Sequence, residues 1–266
     1  MRLLSWERFM EEDEPARGLS ATVGVFDGLH IGHRRLIECV FAHGDGRDTG
    51  VFTFTENPKK LLKPSSYHGA LSSLEQKLEM LEALGLDLCV LIDFSGNFSK
   101  LAGRDFLSSL KDKGNLQYIA VGSNFSCGYK LDTHAHDIKD FYGPAGIGID
   151  VLDPVLWEGH AVSSSRIRNA IRDGRIDDAT AMLGRPYEID LRRCGPGRLA
   201  DGRWTCGRPE GIVLPPEGRY DAMAIGKGNT APALMGVNLD RLEIQASTGW
   251  FPERVAVNRL TKETKR

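Results

Sequence analysis

The sequence has no excess of either charge: across 266 residues, 34 Lys and Arg meet 36 Asp and Glu, a formal net of -2. It therefore lacks the global basic field with which proteins attract nucleic acid. Cysteine is scarce. Only Cys39, Cys89, Cys127, Cys194 and Cys206 occur, far apart, and no two form a C-x-x-C pair. An odd, scattered set predicts reduced thiols in a cytoplasmic protein, packed mostly as small apolar residues. No apolar run approaches the ~20 residues a membrane span needs. The N-terminal stretch turns acidic where a secretory signal has its apolar core, so the expectation is a protein that is neither exported nor membrane-bound. Internal repeats and low-complexity tracts are missing too, which excludes solenoids and linker-like chains. What remains is a 41% hydrophobic, 26% charged globular chain, long enough for a large and a small domain.

Charge and texture divide the chain unevenly. From Ile189 onward the net charge is +4, against -6 for the rest, and short Gly/Pro-punctuated segments replace long apolar and helical ones. This places a domain boundary near Pro186–Ile189, giving segments 1–187 and 188–266. In the first, apolar runs at 21–26, 51–54, 88–92, 118–121 and 147–152 read as strands. Amphipathic stretches at 32–41, 73–84, 99–110 and 165–183 read as helices. Strands alternating with helices predict an α/β fold, a parallel sheet covered on both faces, with ligands beyond the carboxyl ends of the strands. In the second segment, 220–225, 242–247 and 254–258 alternate like antiparallel strands of a small barrel or meander.

The sharpest local pattern is Thr22-Val-Gly24-Val-Phe26-Asp27-Gly28-Leu-His30-Ile-Gly32-His33, which leaves a strand and enters a helix. Glycines let backbone approach a phosphate, and a helix N-terminus offers unpaired N–H groups and positive potential. His30 and His33, three apart, share a helix face and can donate to phosphate oxygens during a displacement. The zinc-protease pattern H-E-x-x-H is not met. A second pattern, Val162-Ser163-Ser164-Ser165-Arg166-Ile167-Arg168, opens a helix with hydroxyls that can cap it and bind phosphate, and Arg168 adds a planar charged fork.

The first string resembles the H-x-G-H signature of the nucleotidyltransferase superfamily, in the form found in the adenylyltransferase module of bacterial FAD synthetases. The second resembles that family's I-S-S-T-R-I-R, with serine at 165. Val121-Gly122-Ser-Asn124-Phe125-Ser-Cys127-Gly128 resembles its G-x-[DN]-F-x-F-G loop, with Cys127 in place of phenylalanine. FTFTENP at 52–58 resembles T-F-x-P-H-P, with Glu56-Asn57 where Pro-His is usual; Asn57 can still donate a hydrogen bond. Lys77, Gly85-Leu-Asp87 and the 179–186 stretch also fit, so the resemblance runs in blocks from Ser20 to Tyr187. It implies a Rossmann-like domain that transfers AMP from ATP to FMN, giving FAD and pyrophosphate with Mg²⁺. It assigns His30, His33, Ser164 and Arg168 to catalysis at the phosphates, with Ser165 beside them. Gly24, Phe26, Asp27, Gly28, Asn57, Asn124, Phe125 and Ser163 are assigned to cofactor and substrate binding. His33 and Arg168 are both expected at the open mouth of the sheet. The expected partners are small molecules, with neither nucleic acid nor membrane; self-association is left open. Two alternatives stand beside this reading: a flavin- or nucleotide-binding protein without turnover, and an H-x-G-H transferase with another phosphorylated acceptor.

Other patterns carry plainer readings. Asp132-Thr-His134-Ala-His136-Asp137 reads as a solvated loop in preference to a metal cluster. Gly226-Lys227-Gly228 lacks the full phosphate-loop pattern, and no metal site is assigned. The runs Glu11–Glu14 and Arg259–Arg266 read as solvated segments. In bifunctional FAD synthetases the C-terminal position holds a β-barrel riboflavin kinase. Pro215-Pro216-Glu-Gly218-Arg-Tyr220 resembles its P-x-x-G-V-Y entry to a strand, Glu243 falls near its catalytic base, and Leu260–Lys265 resembles its terminal L-R-x-E-x-K. The G-F-P-T-A-N string that serves ATP and Mg²⁺ is missing between Arg198 and Pro215, and Asn229-Thr230-Ala231-Pro232 comes later and in another order. The expectation is a shortened, kinase-like barrel without riboflavin kinase activity.

Overall fold

The computed structural model describes residues 1–12, 17–94, 96–226 and 228–261. The chain forms two compact units. One comprises 1–67 with 77–156, the other 68–76 with 157–266. Lys227, Asp13 and Glu14 of the acidic run, and 262–266 of the basic end lie outside the described residues. Among the described residues, no helix is long and apolar enough to cross a membrane.

The first unit is an α/β layer structure. Strands β1 (Arg2–Ser5), β2 (Leu19–Val23), β3 (Asp48–Phe54), β4 (Leu88–Ile92), β5 (Leu116–Gly122) and a sixth strand, Gly148–Leu152, form one sheet in the order β1-β4-β3-β2-β5-sixth. Every pairing is parallel. Strand β2 is buried at all five positions, as a central strand covered on both faces must be. Leu19, Ala21 and Val23 enter a core with Phe9 of helix α1 (Trp6–Glu11), Phe106, Leu107 and Leu110 further along, and Ile138 and Tyr142. The opposite core holds Ile37 and Val40 of α2 (Ile31–Ala42), with Leu81, Val51, Cys89 and Tyr118. Ser20 also faces α2: its hydroxyl donates to the Val40 carbonyl at 2.8 Å. Chain order steps from β2 through β3 to β4 on one side, then returns to place β5 on the other side of β2. The carboxyl ends of β2 and β5 therefore flank a topological switch point, where such sheets open a crevice.

Helices α3 (Pro58–Leu62), α4 (Leu74–Ala83), α5 (Gly103–Gly114) and α6 (Ala135–Tyr142) follow in chain order. The expected strand at 21–26 ends at Val23, because the chain turns at Gly24 and Phe26 takes a positive φ of 50°. The expected helix at 99–110 divides into a short 3-10 turn at Phe98–Lys100 and α5.

In the second unit, helical material at 165–183 breaks at Asp173-Gly174 into α7 (Ser164–Arg172) and α8 (Ile176–Leu183). Seven strands form an antiparallel sheet in the spatial order 187–190, 254–260, 218–226, 229–237, 241–246, 204–207, 197–198. It is open and curls into half a barrel. The strand Asn229–Val237 escapes sequence reading because Pro232 interrupts it. Its pairing with the 241–246 strand begins only at Ala233, so Pro232 sits where the ladder on that side has ended. Packing and composition divide the chain differently: α8 lies against the strands at 187–190 and 254–260, and so belongs to the sheet's own unit. Segment 68–76 joins the same unit through the Ala70–Ile212 bridge and the Ser73 hydroxyl on Asp190.

Candidate active site

The turn from β2 into α2 is built under strain. Phe26 (φ 50°), Gly28 (φ 76°) and Leu29 (φ 41°) all lie in the left-handed region. For Phe and Leu this costs roughly 1–2 kcal/mol each. Both side chains are essentially fully buried in the α2-side core, and that burial offsets the cost. The turn delivers His30 as the N-cap of α2, where its Nδ1 accepts the backbone N–H of His33 at 3.3 Å. The two imidazoles stack at 3.6 Å between centroids and 16° between planes. Gly32 makes this geometry available, since a Cβ there would lie 3.2 Å from His30 Nδ1.

Because His30 Nδ1 accepts the His33 N–H, its ring proton resides on Nε2. Phe26 meets His33 edge-on at 5.2 Å, so the turn's own phenylalanine supports the second imidazole. Burial first, then the neighbouring His30 ring and the Lys77 ammonium, hold His33 well below the usual histidine range, so it is neutral at pH 7. Its Nδ1 is buried and makes no hydrogen bond. Asp27, 5% exposed, completes the turn.

Lys77 belongs to this site although its local sequence marks it only faintly. It stands on the apolar stripe of α4, with Leu78 and Leu81, and is 6% exposed. Its ammonium donates to the carbonyls of Phe54 (2.6 Å) and Val25 (3.4 Å) and to Thr53 Oγ1 (3.3 Å). Burial lowers its pKa to about 8, while the Asp27 charge acts in the opposite sense. A cation in a stripe of leucines was the available signal; its partners, 23 to 52 residues away in sequence, were not.

The loops after β5 and β3 leave strands adjacent to β2, so they share its end of the sheet. Asn124 is exposed there. Phe125 is half-buried against the α5-side core, its N–H donating to the Gly122 carbonyl at 2.8 Å. Cys127 packs on the same core; burial, reinforced by Asp132 and Asp137, pushes its thiol up to about 12, which leaves it unreactive. Asn57 caps α3, its Oδ1 accepting the Lys59 N–H at 3.0 Å.

The second motif lies in the second unit. Ser163 caps α7, its Oγ accepting the Arg166 N–H at 3.2 Å, so the hydroxyls of Ser164 and Ser165 occupy the first turn. Arg166 packs on Trp157 and donates to the carbonyls of Trp157 and His160. Arg168 corrects the expectation of an open position: it is 6% exposed, and its Nε donates to the Gly69 carbonyl at 2.6 Å. It therefore also holds segment 68–76 in place.

The remaining candidates have structural work. Asp137 accepts the His134 N–H at 2.7 Å and caps α6, while Asp132 accepts the Gly103 N–H at 2.9 Å. Among the described residues, no group of three or more His, Cys, Asp or Glu is disposed to hold a metal ion. Glu243, 13% exposed, has both oxygens engaged, one by Arg203 and the other by Arg241 at 2.9 Å. Arg203 is held in turn by Asp201 at 2.6 Å.

A family model described as FAD synthetase matches residues 12–166. A bifunctional riboflavin kinase/FMN adenylyltransferase of Listeria monocytogenes is 29% identical over 171 residues, 62% of this chain and 53% of that protein. The chain thus spans about half the length of that relative. A second Listeria monocytogenes protein, named FAD synthetase, is 26% identical over 210 residues, 78% of this chain and 82% of the relative. Among solved structures, one described as a macrolide-efflux protein from Streptococcus pneumoniae has the same fold. Its TM-score is 0.84 at 20% identity, covering 100% of this chain and 93% of that one.

Proposed function

Since the chain belongs to the FAD synthetase family, we propose that it is an FMN adenylyltransferase, converting ATP and FMN to FAD and pyrophosphate. The observation that supports this most is the stacked His30–His33 pair at the N-terminus of α2, at the switch point of a parallel sheet.

In this reading an oxygen of the FMN phosphate attacks the α-phosphorus of ATP in line. The bond from that phosphorus to the oxygen bridging the β-phosphate breaks, and pyrophosphate leaves. A phosphate monoester is already an anion at pH 7, so no protein nucleophile or base is required. Catalysis then rests on positioning and on stabilising the charge of the displacement. His30 Nε2–H and the neutral His33 serve the triphosphate and the departing pyrophosphate. Mg²⁺ would enter bound to the triphosphate and neutralise part of its charge, and Asp27 is assigned to positioning the metal or the ribose on the strength of the family pattern. Gly24 and Gly28 let the turn's backbone approach the nucleotide, and Phe26 supports His33 from beneath. Asn124, Phe125 and Asn57 are assigned to the flavin side. Ser164, Ser165 and Arg168 are assigned the β- and γ-phosphates on the strength of the family pattern, with Ser163 as the cap that orients them.

Segment 1–187 carries this activity, and segment 188–266 is a kinase-like sheet without riboflavin kinase activity. The ion pairs that occupy both Glu243 oxygens support that second statement, because a carboxylate so engaged is poorly placed to take a proton from riboflavin. All five cysteines are free thiols, in keeping with the cytoplasm as its compartment. The test is incubation of the full chain with ATP, Mg²⁺ and FMN, and separately with riboflavin. FAD and pyrophosphate should form from FMN, and no FMN from riboflavin. FMN binding without FAD would favour a flavin-binding protein, and no binding would favour another phosphorylated acceptor.

A further inference from the structure

Lys77 is the one lysine among the buried polar and charged residues of the described chain. The packing of α4 gives no reason for it, since the neighbouring positions on the stripe are Leu78 and Leu81 and a leucine or methionine would continue them. Burying an ammonium there is unfavourable unless its donors are used. One of its three contacts is on the turn between β2 and α2, and the other two are at the end of the neighbouring strand β3. Val25, whose carbonyl it reaches, immediately precedes Phe26, the first residue of the strained path. Thr53 Oγ1 lies 3.3 Å from the ammonium and itself donates to the same Val25 carbonyl at 3.1 Å. The 2.6 Å bond to the Phe54 carbonyl anchors the cation to the end of β3. A carbonyl held by two donors cannot rotate freely, so the peptide leading into Phe26 is fixed from the neighbouring strand.

We propose that Lys77 is a positioning residue for the adenylyl transfer: its ammonium clamps the Val25 carbonyl to the end of β3 and thereby sets the path of the turn that presents His30 and His33. It also supplies a fixed positive charge beneath that turn. The titratable groups acting on His33 are His30 at the start of its own helix and Lys77 on α4, and Asp27 of the turn acts on Lys77. The positive field met by a polyphosphate then comes from the lysine and the helix N-terminus, and His33 stays neutral. The kinetic part of this inference rests on the function proposed above; the geometric and electrostatic part does not.

The experiment compares the full chain with Lys77→Met and Lys77→Arg. In steady-state FAD formation, Lys77→Met should lower kcat by at least ~10-fold with the KM for FMN within ~3-fold, because preorganisation is lost more than binding. Lys77→Arg, which keeps the charge, should recover part of kcat. The second readout needs no substrate: the NMR titration of the His33 ring. Its midpoint should rise by about half a pH unit or more in Lys77→Met and should stay near the parent value in Lys77→Arg. A folded Lys77→Met variant with parental kcat, or with an unmoved His33 midpoint, overturns the proposal. So does a variant that cannot fold, since the lysine would then be a folding residue. If the parent chain makes no FAD, the functional reading fails, and the His33 titration alone still decides the role of Lys77.

Discussion

Replacing Lys77 by methionine removes an ammonium that is 6% exposed and whose pKa burial lowers from 10.5 to about 8. At 1.36 kcal/mol per unit, holding that charge in the folded chain at pH 7 costs about 3 kcal/mol relative to the unfolded chain. The substitution relieves this cost but leaves the Phe54 carbonyl without its 2.6 Å donor, a loss of about 1–2 kcal/mol, while Val25 keeps the Thr53 hydroxyl. Lys77→Met should therefore be about 1–2 kcal/mol more stable than the parent at pH 7. Its pH dependence has a definite sign. Between pH 8 and 10.5 the unfolded parent binds a proton that the folded parent has lost, so parental stability rises with pH across that window. Below pH 8 both states are protonated and the gap between the two proteins is constant. Urea unfolding followed by far-UV circular dichroism from pH 6.5 to 10 measures the difference, in which groups common to both proteins cancel. A loss of 3 kcal/mol or more, constant across that range, would refute the reasoning.

Three further outcomes are expected. His33→Ala and Arg168→Ala should each lower FAD formation by at least ~10²-fold, as loss of a preorganised donor does. They should separate in thermal unfolding: His33→Ala is nearly neutral, while Arg168→Ala is destabilising by about 1.5–3 kcal/mol, because the Gly69 carbonyl loses a charged donor. Joint replacement of His134 and His136 by alanine should leave activity within a few-fold, since both rings are exposed and alanine at the N-cap of α6 keeps the backbone N–H that Asp137 accepts. Glu243→Gln should leave FAD formation at the parental rate, measured by chromatography, and conversion of riboflavin to FMN should be undetectable in parent and variant alike.

What was legible in the sequence was local. The string from Thr22 to His33 encodes strand, turn and helix within twelve residues, and its glycines and histidines occupy the positions the geometry needs. The parallel sheet followed from buried runs such as LCVLI, whose limits the structure reproduces at Leu88–Ile92. Long-range contacts were not legible. Arg168 reads as an exposed fork because its partner, Gly69, is 99 residues away, and the strand Arg2–Ser5 is short, mostly exposed and at the sheet's edge. Segment 68–76 reads as a lead-in to an amphipathic helix, yet Ala70 exchanges backbone hydrogen bonds with Gly211 and Val213, while Ser73 and Gln76 bond to Asp190 and Glu188. Glu243 falls near a catalytic base only by sequence resemblance; the structure reveals the two arginines that engage it.

The central claim is that AMP passes from ATP to the phosphate of FMN at the turn carrying His30 and His33. Labelling the phosphorus atoms of ATP tests it most directly. The full chain is incubated with FMN, Mg²⁺ and ATP carrying ³²P at either the α- or the γ-position, and the products are separated by chromatography. The account predicts that the α-label appears in FAD and the γ-label in pyrophosphate, in equal amounts, and that both transfers fall together in His33→Ala. A γ-label recovered in the flavin, or an α-label that never leaves ATP while FMN is bound, would contradict it.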